Sequence, residues 1–462
     1  MSPIAPLAIL WISGLLLAPL DGRQRWAGWF GLAALTVALG SMLMLTAEVL
    51  RKGPLEAVAG NWPAGVGIAI RVDALGLAFA LTALAVILIA YGYEFAGKIE
   101  SRSFPALSAF LAVGLTGVFF TGDAFNFYVF FEIAMVASYI LTAYGEERRQ
   151  LRAAVIFAVV NLLGSVMFLI SIVSLYFVTG TLDMGQIAAR MPIVEQNPSL
   201  VAGTLLFVAL SVKLGLFPFH FWLPAVYTGV RPSVAAMLSG ALASIGVYGI
   251  LRFGAGMLPR ELDLASPALI VLGIASVAYG GIQAISRRDP DEVVAYSAIG
   301  QVGYILIAVA VGGGVGLAAA VLYSIVNSLN KTMLFLAGNQ VNRLGGIAFA
   351  IGGLSVAGIP IAAGFWGKVA LLQSGLAVEG AWVQIVLVAT IVGGGLLSIV
   401  YMFQAYARTY WRLSSEPQAE KQRVQTTIVI VAAMISLIVG VWPEPLLALS
   451  HQAAAVLPWG AS

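Results

Sequence analysis

The stretch "FNFYVFFEIAMVASYIL", Phe125 to Leu141, is apolar and aromatic along its length yet carries one charged side chain, Glu132. No other charge lies between Asp123 and Glu146. A helix rises about 1.5 Å per residue, which puts the carboxylate roughly 13 Å from one end of this run and 21 Å from the other. A carboxylate at that depth is costly in lipid and ordinary in a soluble protein with a partner at hand, so the rest of the chain decides what it means.

The rest of the chain is of the same kind. Of 462 residues, 60% are hydrophobic and 10% charged, and the mean hydropathy is +0.97. A soluble domain carries about 25% charged residues; this chain lacks the polar surface to face water on all sides. Apolar runs of about 18 residues or more read as transmembrane helices. Splitting them at charged or turn-rich breaks gives fourteen expected spans: 3–20, 26–48, 72–93, 104–121, 124–144, 151–179, 200–226, 232–253, 265–286, 291–311, 314–338, 344–377, 381–407 and 424–448. The expected fold is an all-α, multi-pass membrane protein, residues 1–462 forming one integral membrane domain. No basic residue precedes the first apolar run, so that run is expected as a span and not as a cleaved signal.

Lys and Arg accumulate on the cytoplasmic side of membrane proteins. With both termini placed outside, the inward loops hold fifteen basic residues, Arg412 and Lys421 among them, and the outward loops six. That bias supports an even number of spans in the cell (inner) membrane. Several chemistries are not expected. The chain has no cysteine and two histidines, His220 and His451, so neither a thiolate-held cluster nor a metal motif can be assembled from it. "GFWGKV" (Gly364 to Val369) lacks the spacing and the Ser/Thr of a phosphate-binding loop. No cofactor, metal or nucleic acid is expected, and no redox or hydrolytic site.

Three basic residues belong to neither set of loops and fall well inside expected spans: Lys213, Lys331 and Lys368. Each intramembrane charge costs about 2.5–3.5 kcal/mol on insertion scales. One could pin two helices together by pairing. Four, on four helices and three of one sign, point to a proton or cation path in the bundle interior. Proline interrupts two of the same helices. "SVKLGLFPFHFWLP" (Ser211 to Pro224) sets Lys213 before Pro218 and Pro224, and "LSVAGIPIAAGFWGK" (Leu354 to Lys368) sets Pro360 before Lys368. Proline frees a backbone carbonyl, and such breaks survive at membrane depth inside protein or beside a water-filled cavity.

Polar residues gather nearby. "YSIVNSLNK" places Ser324 and Asn327 before Lys331, and "AYSAIGQVGY" adds Ser297, Gln301 and Tyr304. These side chains either hold ordered water or make interhelical hydrogen bonds. His220, in the first broken helix, is either a gate or a packing residue.

Taken together, "FNFYVFFEIAMVASYILTAYG", "VTGTLDMGQ", "KLGLFPFHFWLP", "GVYGILR", "NKTMLFLAGN" and "GIPIAAGFWGK" resemble the antiporter-like, proton-conducting subunits of complex I and its relatives, most of all the D-type subunits of Mrp-type multisubunit Na+/H+ antiporters. The likeness runs over about residues 70–410. It implies fourteen helices with two inverted five-helix repeats, 104–253 and 265–410, each holding one broken helix. It also implies a charged axis at mid-membrane. Glu132 matches the fifth-helix glutamate that pairs with the lysine of the broken seventh helix, here Lys213; Lys331 and Lys368 match the lysines of the eleventh and broken twelfth helices. The chain departs from the pattern at Ser244, where a lysine is usual, at Asn327, where histidine is common, and in a shortened connection between Asn339 and Gly352. Without the Ser244 lysine, protons would cross between the halves through water, Ser244, Tyr248 or His220. The expected function is proton translocation within a membrane cation/proton antiporter, alongside partner membrane subunits. The alternatives are a proton-channel subunit of a complex I-like dehydrogenase or membrane-bound hydrogenase, and a non-conducting scaffold.

Overall fold

Aspartates that cap and glycines that stop divide the chain into helices, as seen in a computed structural model that describes residues 2–58, 67–411 and 420–460. Arg412 lies outside the described residues, as does the side chain of Lys421. The helices in order are α1 (Ala5–Leu17), α2 (Arg25–Lys52), α3 (Ala74–Gly97), α4 (Phe104–Phe120), α5 (Ala124–Thr142), α6 (Arg148–Thr179) and the short α7 (Met184–Arg190). Next come α8 (Gln196–Leu214), α9 (Leu223–Tyr227), α10 (Pro232–Ala236), α11 (Ser244–Gly249), α12 (Pro259–Ser286), α13 (Pro290–Val311) and α14 (Gly313–Gly338). Last are α15 (Arg343–Ala357), α16 (Ala363–Leu376), α17 (Ala381–Tyr410), α18 (Glu420–Val441) and α19 (Glu444–Ala455). Two π segments, Met237–Leu242 and Ile250–Ala255, continue α10 and α11 into one rod from Pro232 to Ala255.

Among the described residues eleven helices are long and apolar enough to cross a membrane, and α1, α4 and α15 are shorter apolar helices. The starts are chemically marked. The side chains of Asp73, Asp123, Asp183 and Asn342 accept from the backbone N–H groups of Gly76, Asn126, Gln186 and Gly345, which satisfies donors a helix leaves open. Glu147 and Gln150 close a reciprocal capping box at the start of α6.

One departure from helix is a hairpin in which β1 (Leu55–Val58) pairs antiparallel with β2 (Ala69–Val72), Leu55 opposite Val72. Single bridges join Ile70 to Thr121 and Asp123 to Asp183. The strand pair therefore lies beside the start of α3 and the end of α4, and the second bridge ties the start of α5 to that of α7.

The interior belongs to α3, α13, α14 and the rod Pro232–Ala255. The most apolar stretches of the rod and of α13 are each 94% buried, whereas those of α2 and α17 are 33% and 28%. A helix apolar on every side and buried on every side sits in the centre of the bundle. The peripheral helices present Trp29, Val159, Leu163, Trp382 and Phe403 outward, the surface expected against lipid.

Both expected helix breaks are present. α8 stops at Leu214, with Gly215 in the left-handed region (φ 64°), and helix resumes at Leu223 with Pro224 in its first turn. α15 stops at Ala357, with Gly358 left-handed (φ 82°), and helix resumes at Ala363. At Gly358 a side chain is excluded twice, by that φ and by the Lys368 stem, whose Cγ would lie 2.5 Å from an added Cβ. Ile361, a β-branched residue at φ 87° inside the second break, adds backbone strain.

Candidate functional site

Lys213 lies in the last turn of α8, next to the first break, and is 8% exposed. A cation in the last turn of a helix lies toward the negative end of its dipole, a favourable placement. Its Nζ donates to the Asn161 carbonyl (2.9 Å) and to Ser165 Oγ (3.2 Å), both on α6. It also stands 4.3 Å from the centroid of the Phe131 ring on α5, a cation–π arrangement. Beside it is a cavity of about 10 Å³ lined in part by Phe131, Asn161, Trp222 and Tyr227. That is room for about one water molecule.

Glu132 follows Phe131 directly, half-buried, with Oε1 out of solvent and without a hydrogen-bond partner. No ion pair joins it to Lys213, whose nitrogen is turned to α6 instead. The expected pair is thus two neighbouring charges that do not touch. The physical reason is competition: a backbone carbonyl and a hydroxyl satisfy the ammonium without a second desolvated ion.

Lys331, in the C-terminal third of α14, is 1% exposed and donates to Ser297 Oγ (2.5 Å) and the Val294 carbonyl (3.3 Å), both on α13. Lys368, in the second turn of α16 just past the second break, is 6% exposed. Its Nζ has no hydrogen-bond partner and lies 3.9 Å from the centroid of the Tyr304 ring. Three amines therefore stop inside three different helices, two of them at breaks. Carbonyls, hydroxyls and aromatic faces hold them, and among the described residues no carboxylate does.

A family model for the transmembrane NADH:quinone oxidoreductase/Mrp antiporter subunits matches residues 121–394, more than half of the chain and the part that holds all four charges. The chain belongs to this family. The D-type component of the Na+/H+ antiporter of Alkalihalophilus pseudofirmus is 28% identical over 98% of this chain and 96% of its own length. The putative antiporter subunit mnhD2 of Staphylococcus aureus is 29% identical over 94% and 92%. Among solved structures, a chain of the Mrp complex from Dietzia superposes with a TM-score of 0.91 at 23% identity, covering 99% of this chain and 98% of that one. A chain of an archaeal membrane-bound sulfane sulfur reductase superposes at 0.88 with 24% identity, covering 98% of each. These two likenesses show the shared fold.

Within this family member the expected relay positions are less connected than the lysines. Ser324 Oγ donates back to Ala320 O in its own helix (2.6 Å), and Asn327 Oδ1 is buried without a partner, so neither bonds Lys331. Ser244 Oγ donates to Ala241 O (2.5 Å). Tyr248 donates to the Phe119 carbonyl (3.0 Å). His220 stacks on Phe217 and meets Tyr279 at a tilt, at 5.4 and 4.3 Å between ring centroids, with Nδ1 unpartnered. None of these side chains is hydrogen-bonded to another of the set or to a lysine. Pro218 and Pro360 lie in the non-helical links and Pro224 at the restart, as the breaks require.

Two ion pairs, made by Arg231 and Arg252, escaped the sequence reading, which singled out neither arginine. Arg252 Nη2 meets Asp73 Oδ1 at 2.8 Å, with Asp73 fully buried, while Arg252 Nε donates to Tyr248 (3.0 Å). Arg231 Nη1 meets Glu94 Oε1 at 3.0 Å and also bonds Glu100. Glu94 further accepts from Tyr144 (2.8 Å) and Ser233 (2.6 Å). Asp73 caps the start of α3 and Glu94 lies near its end, while Arg231 precedes the rod Pro232–Ala255 and Arg252 lies near its end, so an ion pair clamps these two antiparallel elements at each end. Arg252 follows Tyr248 by four residues, one helical turn; that spacing was the one signal in the sequence. Burial pushes the Asp73 carboxyl up, but the Arg252 guanidinium and the Gly76 N–H outweigh it and hold the group below its ordinary value.

Proposed function

We propose that this chain is the proton-translocating D-type subunit of a multisubunit Mrp-type cation/proton antiporter, working beside other membrane subunits with protons, and Na+ in the assembly, as the cargo. The observation that carries this reading is the set of three lysine amines, Lys213, Lys331 and Lys368, each buried inside the helical bundle without an ion-pair partner among the described residues. Burying an amine at membrane depth is destabilising. A chain that does so three times, beside two broken helices, uses the amines for something other than fold.

In this reading Glu132 and Lys213 form the switch. An opposite charge nearby favours the charged form of an amine. Movement of the Glu132 carboxylate toward Lys213 makes the lysine hold its proton, and movement away releases the proton toward Lys331 and Lys368. The gap between the two groups in this structure fits the released arrangement. The axis runs through two inverted repeats, 104–253 and 265–410, within fourteen spans of the inner membrane, with both termini outside; the fifteen-to-six loop bias of basic residues supports that orientation.

The test is proton flux in membrane vesicles carrying the intact complex. Lys213→Ala and Glu132→Ala are expected to stop cation-driven proton exchange while the chain remains in the membrane with its partners. Flux at the unsubstituted level in both variants would leave the non-conducting scaffold as the answer. The likeness to a sulfane sulfur reductase chain supports a second reading, a proton-channel subunit of a redox-driven complex. Exchange driven by a cation gradient alone, without electron donor, separates the two.

A further inference from the structure

The start of α2, the end of α3 and the start of α18 enclose a cavity of about 660 Å³, inside the range of about 300–1,000 Å³ common for ligand sites. Its wall is apolar. Trp29 and Leu32 of α2 line it together with Ile428 of α18, and the Trp29 ring stands edge-on to Phe95 of α3, 5.0 Å between centroids. The floor is Gly92 and Ala96, one helical turn apart on α3. Small residues at this spacing ordinarily let two membrane helices close on each other. Here, among the described residues, a Cβ added at Gly92 would meet only Ile428 Cδ1, at 3.8 Å.

One end of the cavity is basic. Arg25 is the first residue of α2 and Lys98 the residue after α3 stops; both line the cavity and both are exposed. The nearby carboxylates are already engaged, Asp21 by Arg23 (2.8 Å) and Glu100 by Arg231. Among the described residues no carboxylate lies within ion-pair distance of Arg25 or Lys98. Neither placement favours the fold. Arg25 puts a cation at the positive end of the α2 dipole, and Lys98 holds φ 90°, a conformation uncommon for a residue with a side chain. Trp26 and Trp29, both exposed, belong to the same end, and tryptophan marks the boundary between lipid and water. The loop bias of basic residues marks this end as cytoplasmic, the side on which membrane surfaces are negatively charged.

Two unpaired cations at the interface, opening onto an apolar trough that runs toward the membrane interior, have the polarity of a phospholipid. We infer that this groove binds one anionic phospholipid, its phosphate between Arg25 and Lys98 and one acyl chain over Gly92 and Ala96, between Leu32, Phe95 and Ile428. Basic pockets between membrane helices take lipid headgroups in this way. A free phosphate would use the two cations and leave the trough empty; an uncharged lipid would fill the trough and leave the cations unpaired. The lipid holds α2 and α18 against α3 at the membrane surface. Binding here does not depend on proton conduction, and either can fail without the other.

The experiment titrates the intact complex, stripped of lipid in detergent, with phosphatidylglycerol, phosphatidylcholine or inorganic phosphate, and counts bound molecules by native mass spectrometry. Arg25→Gln and Lys98→Gln are each expected to weaken phosphatidylglycerol binding about fivefold, and the double variant about thirtyfold, with one fewer molecule retained per complex. Phosphatidylcholine binding is expected to be the same in all of them. Phosphatidylglycerol bound as tightly and in the same number by the double variant would overturn the site. So would phosphatidylcholine bound as tightly as phosphatidylglycerol, or displacement of phosphatidylglycerol by inorganic phosphate at equal concentration. Gly92→Leu fills the floor while keeping both cations and should also weaken phosphatidylglycerol binding; if that variant does not assemble, the two exposed charge changes decide the outcome. The photo-cross-linking residue p-benzoylphenylalanine in place of Leu32, irradiated in native membranes, identifies the occupant. A cross-link to phospholipid is expected, and a cross-link to another subunit would show that a protein helix fills the groove and would overturn the lipid site.

Discussion

The two halves of the molecule bury their lysines in different company. In the first half Lys213 has a carboxylate, Glu132, one residue beyond the ring it stacks on, and its nitrogen is satisfied by a carbonyl and a hydroxyl of α6. In the second half Lys331 and Lys368 have no carboxylate among their described partners; a hydroxyl, a carbonyl and an aromatic face surround them. The breaks also sit differently, since Lys213 ends the helix before its break and Lys368 begins the helix after it. The difference teaches that burial of an amine at membrane depth has two solutions here. One places a carboxylate nearby without contact; the other surrounds the amine with neutral hydrogen-bonding groups and an aromatic face.

The sharpest way to break this contrast is to remove charge from each half. Lys331→Met is expected to cut proton flux by about a hundredfold or more, as for loss of a positioned acid–base group. Glu132→Gln is expected to cut flux comparably, because the first half then loses its counter-charge. Flux unaffected by Glu132→Gln would show that the two halves work alike.

Next in size is the clamp on α3. Arg252→Met strands a fully buried Asp73 carboxylate and should lower stability by about 3–5 kcal/mol, seen as a lower unfolding temperature of the detergent-solubilised complex. Arg231→Met should be milder, about 1–3 kcal/mol, since Glu94 keeps Tyr144 and Ser233 as donors. Asp73 is held below its ordinary value, so its contribution is present at neutral pH. It is lost as pH falls below the unfolded value of about 3.9 toward the lower folded one. The Arg252→Met protein should therefore lose less additional stability on acidification than the unsubstituted one.

Smaller effects test the breaks and the aromatic contact. Gly358→Ala forces a side chain into the left-handed region against the Lys368 stem, at about 1–3 kcal/mol, and should lower flux as well as stability. Gly215→Ala meets Leu223 instead, so it should lower stability by a similar amount without a specific flux defect. Phe131→Leu removes the ring beside Lys213, worth about 0.5–2 kcal/mol, and should change flux only in the first-half step.

Composition and local pattern determined much of this protein. The apolar runs, the loop bias of basic residues, the three stranded lysines and the prolines of the two breaks are all sums or spacings along the chain. The energy of burying a charge or a bare carbonyl in lipid depends on little else. Tertiary structure decided the partners. Lys213 bonds Asn161 O and Ser165 in preference to Glu132, Arg252 reaches Asp73 across 179 residues of sequence, and Gln301 joins Tyr401 from 100 residues away. A hydrogen bond requires donor and acceptor within about 3 Å, and which helices pass that close is fixed by how whole faces pack, which no local window contains.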